Sequence, residues 1–259
     1  MERKIRVGAV SYLNTKPLIY GFEQGMMKDE MELVFDYPAK IASALLKDEI
    51  DIGLVPVAIL PEMKEFHIVS DYGIACDGEV ASVCLFSEVP LEEIKTVLLD
   101  YQSRTSVVLA KVLMQEYWKI APEIINTNTD FSSQIKDTTA AVIIGDRALE
   151  RRQASKYVYD LGEAWKQYTG LPFVFAAWVS NKPIPLEFID HFNEANRRGL
   201  NDIEKIVQQN PFAAYDLAKY YTVNIKFQLN NSMREAVDLF LNKLKALQNQ
   251  ATTSEVLFK

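Results

Sequence analysis

The sequence is poor in the residues that most enzymes recruit for chemistry. Among 259 residues there are two cysteines, two histidines and ten glycines. Cys76 and Cys84 are too few for a disulfide framework, and their spacing matches no metal motif. His67 and His191 could join a zinc site only with carboxylates, and no ligand cluster of the usual spacing occurs. No Gly-x-x-x-x-Gly-Lys is present, so nucleotide phosphates are not indicated. Basic charge is also scarce. Lys+Arg number 28 against Asp+Glu 35, a net charge of −7 with no basic block, which argues against nucleic acid or an anionic membrane as partner. The longest uncharged apolar stretch, from Thr169 up to Lys182, falls short of the roughly 20 residues that a bilayer requires. The opening run Ile5–Val10 meets polar Ser11 and Asn14 before a secretory core can form. The expectation is a cytoplasmic protein.

What is present is an ordinary globular composition, 49% hydrophobic and 24% charged, long enough for one large domain or two smaller ones. Ile5–Val10, Glu32–Tyr37 and Asp51–Val55 read as strands. Helices are expected from Pro17 to Phe22 and from Ala39 to Leu46, where apolar residues recur at helical spacing. This β-α-β-α-β order implies a parallel sheet. A second copy follows: strand Thr96–Leu99, polar turn Asp100–Ser106, helix Val107–Trp118 and strand Ala140–Ile144. Two α/β units predict two lobes facing each other across a cleft. Val80–Phe86 and Phe173–Val179 are expected to cross between them as a two-strand hinge. Helices at Leu186–Val207, Phe212–Tyr221 and Ser232–Leu247 are expected to pack on the first lobe. Lobe I is therefore drawn as residues 1–85 plus 180–259, and lobe II as 86–179.

In open α/β sheets, ligands bind beyond the carboxyl ends of the strands. That rule points first to Ser11-Tyr-Leu-Asn-Thr-Lys-Pro17, where Ser11, Asn14 and Thr15 either meet a ligand or cap the following helix. It points next to Ser103-Arg-Thr-Ser106, whose hydroxyls and unpaired N–H groups at a helix start suit a carboxylate. A serine-capped helix without ligand is the plainer reading of that loop. Ser82 shares a strand face with Cys84 and Phe86 and is aimed at the cleft. Cys84 has no basic partner nearby in sequence and reads as a buried, inert thiol. Asp146 follows the last strand of the second unit, as a ligand contact or as a helix cap. Phe173, Phe175 and Trp178 are either cleft wall or core, and both histidines read as surface or packing residues. The residues offer no obvious strong base, nucleophile or metal site.

Taken together, Val7-Gly-Ala-Val-Ser-Tyr-Leu-Asn-Thr-Lys-Pro-Leu18, Asp51-Ile-Gly-Leu-Val-Pro56, Ser103-Arg-Thr-Ser106, Ile144-Gly-Asp-Arg-Ala-Leu149 and Thr169-Gly-Leu-Pro-Phe-Val-Phe175 resemble the chorismate dehydratases of the futalosine route to menaquinone. These motifs run from residue 7 to the end of the last crossing, and the C-terminal helices are less distinctive. The resemblance implies the type II periplasmic-binding-protein-like α/β fold, with two lobes, a cleft and a two-strand hinge. It implies loss of water from chorismate, a dicarboxylate, to give 3-[(1-carboxyvinyl)oxy]benzoate with no cofactor. Asn14 and Ser11 would then sit at the reacting face. Ser82, Ser103, Arg104, Thr105, Ser106 and Asp146 would bind substrate. With so few strong groups available, the ring proton is expected to go to the substrate's own enolpyruvyl carboxylate. A small-anion solute-binding protein and a sister lyase of the same route are the competing readings. The Ser-Tyr-Leu-Asn-Thr loop favours the dehydratase over the sister lyase.

Overall fold

The computed structural model describes residues 3–100, 103–127 and 131–257. The chain opens as β1 (Ile5–Ala9), α1 (Lys16–Glu23), β2 (Met31–Phe35), α2 (Pro38–Leu46), β3 (Ile52–Pro56) and β4 (His67–Cys76). Both early helices carry a proline in their first turn, where a missing N–H costs nothing. The second unit is β5 (Val83–Ser87), β6 (Thr96–Leu99), α3 (Arg104–Val112), β7 (Glu123–Asn126), β8 (Thr139–Ile144), α4 (Asp146–Arg151), β9 (Tyr157–Asp160) and α5 (Leu161–Thr169). The chain then returns as β10 (Phe173–Ser180), α6 (Leu186–Asn201), α7 (Ile203–Gln209), α8 (Leu217–Lys219), β11 (Lys226–Gln228) and α9 (Asn231–Leu257).

Two sheets result. The six-stranded sheet has the order β11-β4-β10-β3-β1-β2, and the five-stranded one β7-β6-β8-β5-β9. β1 lies parallel to β2 and β3, and β6 parallel to β7 and β8. The expected repeat is therefore visible as the matching orders β2-β1-β3 and β7-β6-β8. A large core runs through both units, and a smaller cluster around Cys84, Phe86, Leu98, Phe131 and Ile143 backs the five-stranded sheet. The fold is the two-lobed α/β arrangement expected.

Several boundaries differ from expectation. The strand Phe173–Ser180 was placed in lobe II up to residue 179, but β10 lies between β3 and β4 in the six-stranded sheet. The chain crosses between sheets not in strands but in the loop 77–82 and in the segment 161–172, which holds α5. β5 begins only at Val83 and already pairs with β8 and β9. The helix expected from Phe212 does not form there. Asp216 instead caps a single turn by accepting from the Lys219 N–H at 3.1 Å, and a π-helical turn, Tyr220–Asn224, follows. The expected helix Leu186–Val207 breaks at Asp202 into α6 and α7. Of the polar turn before α3, Tyr101 and Gln102 lie outside the described residues.

The C-terminal helix is not confined to the first lobe either. Phe240 of α9 packs edge-on against Trp165 of α5 and Phe173 of β10. Lys243 of the same helix donates to Glu116 Oε2 in the second unit at 2.5 Å. α9 thus spans both lobes. Among the described residues, no helix is long and apolar enough to cross a membrane.

Candidate active site

Four helix or turn starts follow strand ends at one level of the molecule: Leu13–Thr15 after β1, Val57–Glu62 after β3, Arg104 after β6 and Asp146 after β8. They surround a cavity with about 600 Å³ of space not filled by atoms, the open solvent at its mouth included. Its apolar wall includes Val10, Leu54, Pro56, Ile74, Val80 and Phe175. The polar side chains are Tyr12, Asn14, Ser82, Ser103, Thr105 and Ser106. Among the described residues, no Lys, Arg, His, Asp or Glu lines it. An anion held here is held by neutral donors and helix starts.

The α3 start is built as its sequence suggests. Ser103 is the N-cap, and its Oγ accepts from the Ser106 N–H at 3.1 Å. Capping and cavity lining therefore coincide in one residue. Thr105 and Ser106 are buried and face the cavity. Thr105 Oγ1 also accepts from the Ala58 N–H of the opposite lobe at 3.2 Å. Since Ala58 supplies the proton of that bond, the Thr105 hydroxyl proton stays free for a ligand.

Asn14 occupies the middle of the turn Leu13–Thr15, and neither it nor Thr15 caps α1 through its side chain. Thr15 Oγ1 donates to Asn14 Oδ1 at 3.3 Å. Ser82 precedes β5, outside the period-two alternation. Cys84 and Phe86 enter the smaller core cluster, while Ser82 and Val83 line the cavity. Burial pushes the Cys84 thiol well up, which agrees with an inert role.

Three expected site residues lie elsewhere. Ser11 is exposed and does not line the cavity. Arg104 points outward, and its guanidinium pairs with Glu62 across the cleft at 2.8 Å. Asp146 lies beside the cavity and not on its wall; its Oδ1 accepts from the Leu13 N–H at 3.2 Å. It caps a helical turn, but that turn belongs to the opposite lobe. Burial pushes the Asp146 carboxyl above its ordinary range, with the Leu13 N–H opposing. Of the three aromatics of β10, only Phe175 reaches the cavity. Phe173 and Trp178 pack in the core.

The structure adds residues that were not singled out. Gly145 lines the cavity with φ +66°, a conformation that favours glycine where the chain turns from β8 into α4. Tyr12 stands 3.9 Å from where a Cβ on Gly145 would sit. Tyr220 is fully buried behind the polar wall, its hydroxyl 2.7 Å from Ser82 Oγ. No local motif marks it, and only its place between two aromatic or polar neighbours in an irregular turn sets it apart.

The fold resembles solved structures at low sequence identity. A protein of Archaeoglobus fulgidus superposes with a TM-score of 0.70 at 15% identity, covering 96% of this chain and 98% of that one. The periplasmic aliphatic sulphonate binding protein of Escherichia coli superposes at 0.61 and 15% identity, covering 97% and 94%. A Candida albicans protein described as having the generic periplasmic binding protein fold does so at 0.60 and 14%, covering 95% and 90%. In sequence, the chain is 25% identical to a chorismate dehydratase of Thermus thermophilus over 92% of its length and 94% of that protein. It is 28% identical to a chorismate dehydratase of Campylobacter jejuni over 93% and 97%. The profile of the menaquinone biosynthesis family matches residues 5–246, so it spans both lobes and every wall of the cavity described above. The chain belongs to the menaquinone biosynthesis family.

Proposed function

We propose that this protein is a chorismate dehydratase, a carbon–oxygen lyase acting in the cytoplasm on the futalosine route. The observation that carries the reading is a cavity with an apolar wall, a row of neutral hydroxyl and amide groups, and a helix start aimed into it. Full-length similarity to two chorismate dehydratases supports it. A planar ring with one carboxylate at the α3 start and polar contacts on one edge suits these surfaces.

Dehydration of chorismate makes the ring aromatic. The C–H bond at the ether carbon breaks, its electrons become ring π electrons, and the neighbouring C–O bond releases hydroxide, which together with the proton taken from the ring makes up the water lost. That gain lowers the demand on the protein, which must orient, desolvate and supply hydrogen bonds. Thr105, Ser106 and the N–H groups of the first α3 turn hold a carboxylate. Ser82 binds from the crossing loop. Asn14, a neutral amide, hydrogen-bonds the departing hydroxyl. The enolpyruvyl carboxylate takes the ring proton, since tethering within one molecule is worth roughly 7–11 kcal/mol of barrier. Asp146 is not on the cavity wall, which favours the substrate's own carboxylate as base.

The test is incubation of the purified protein with chorismate, following the aromatic product by absorbance and mass. Tight binding without turnover would support a solute-binding role instead. A chorismate analogue with an amide at the enolpyruvyl carboxylate tests the proton acceptor. Turnover of that analogue near the rate of chorismate would assign the base to the protein.

A further inference from the structure

One residue behind the polar wall is bonded to one of its hydroxyls. The Tyr220 hydroxyl donates to Ser82 Oγ at 2.7 Å. A phenol is a stronger acid than an alcohol and donates to it when the two pair. The order of donors is then Tyr220, Ser82. Because Ser82 accepts from Tyr220, its own proton is left to point into the cavity that it lines. Reversing the chain would present only serine lone pairs to a bound anion.

A second feature fixes the same place. Ala81, the residue before Ser82, has φ +63°, which strains a side chain other than glycine. Its peptide is held on both sides: Asp160 accepts from the Val80 and Ala81 N–H groups at 3.1 and 2.8 Å, and Arg152 donates to the Ala81 carbonyl at 3.1 Å. Asn224, from the same π-helical turn as Tyr220, donates to the Glu79 carbonyl at 3.3 Å. One turn from the C-terminal part of the chain thus braces both the backbone before Ser82 and its hydroxyl.

We propose that Tyr220 is a positioning residue that makes Ser82 a one-way hydrogen-bond donor to an anionic oxygen of the ligand. This rests on the reading of the cavity as the chorismate site. Tyr220 does not touch the cavity and acts only through its neighbours. Burial keeps its hydroxyl protonated over the working pH range, so the order of donors does not change with pH.

A double-mutant cycle on chorismate turnover tests the relay, using the unsubstituted protein, Tyr220→Phe, Ser82→Ala and the pair. Phenylalanine keeps the ring packed, and melting temperatures of all four proteins check the fold. Tyr220→Phe is expected to raise KM about tenfold with kcat within about twofold, as loss of a hydrogen bond to a bound charge requires. The pair is expected to be no worse than the more damaging single variant. Turnover with multiplicative losses, or an unchanged KM in Tyr220→Phe, would overturn the relay and leave the functional reading standing. Absence of turnover by the unsubstituted protein would overturn that reading and the relay with it.

Discussion

Asp146 illustrates how one side chain trades stability for placement. Burial raises its carboxyl above the ordinary value, so the folded protein holds the proton more tightly than the unfolded chain does. The corresponding stability is present in acid, below the unfolded value of about 3.9, and is lost as pH rises through the folded value. At neutral pH the ionised carboxylate therefore costs stability. Asp146→Asn keeps an oxygen for the Leu13 N–H and removes the charge. It is expected to stabilise the fold at pH 7 by on the order of 1 kcal/mol, a gain that shrinks near pH 4. Urea unfolding at the two pH values checks this. Thr105 makes the opposite case. Thr105→Val deletes the acceptor of the Ala58 N–H and a donor to the ligand, so stability should fall by about 1–2 kcal/mol and chorismate affinity by about tenfold or more. Calorimetry with substrate and without it separates the two losses.

At the scale of elements, two devices hold the β1–α1 region that carries the Asn14 loop. The first is the start of β3. Burial pushes the Asp51 carboxyl up, but hydrogen bonds from Arg6 and Lys182 outweigh this and hold it well below the usual range. Asp51→Asn removes the charge that pairs with Arg6 and Lys182 and is expected to cost about 2–3 kcal/mol, under a fully buried pair because Lys182 is partly exposed and keeps Asp48 as a partner. That loss should fade as pH drops below about 4, where the carboxylate of the unfolded chain takes up its proton while the folded one is still ionised. The second is the contact between α1 and α6. A Cβ on Gly199 would fall 1.8 Å from the Pro17 carbonyl oxygen, and one on Gly21 2.2 Å from that of Ala195. Gly199→Ala must push the helices apart, costing at least about 1–3 kcal/mol and moving the residues that follow Asn14. A lowered melting temperature together with a raised KM is the expected pair of readings. The parallel strands β1, β2, β3, β6 and β8 were legible in sequence because each carries a short apolar run with its own turn signal, as at Ile52–Pro56, whereas the mostly exposed β7 at Glu123–Asn126 was not expected. So was the α3 start, where hydroxyl residues and helix onset coincide. The sheet that β10 joins was not legible. Both its faces are apolar, and its partners β3 and β4 are chosen by packing far along the chain. Tyr220 was hidden for the same reason: its partner Ser82 is 138 positions away, and its turn carries no periodicity.

For the whole molecule, the contacts across the cleft are of unequal worth. The Arg104–Glu62 pair is exposed and outside the cavity, and such pairs contribute about 0.2–1 kcal/mol. Arg104→Ala should leave kcat/KM within about threefold, whereas a drop of a hundredfold would return Arg104 to the substrate site. Phe240, buried against rings from both units, matters far more. Phe240→Ala should cost about 3–5 kcal/mol in denaturant unfolding. The sheet order has a consequence in time. β4 has only β10 and β11 as neighbours, and both are made after the whole of the second unit. A ribosome adding about 5–20 residues per second needs roughly 5–20 s to travel from Cys76 to Phe173. By the end of that interval the second unit has all five of its strands, while the ten residues of β4 still have no strand to pair with. The nascent chain therefore completes its middle before its beginning, and β4 is the segment most in need of shelter until β10 emerges.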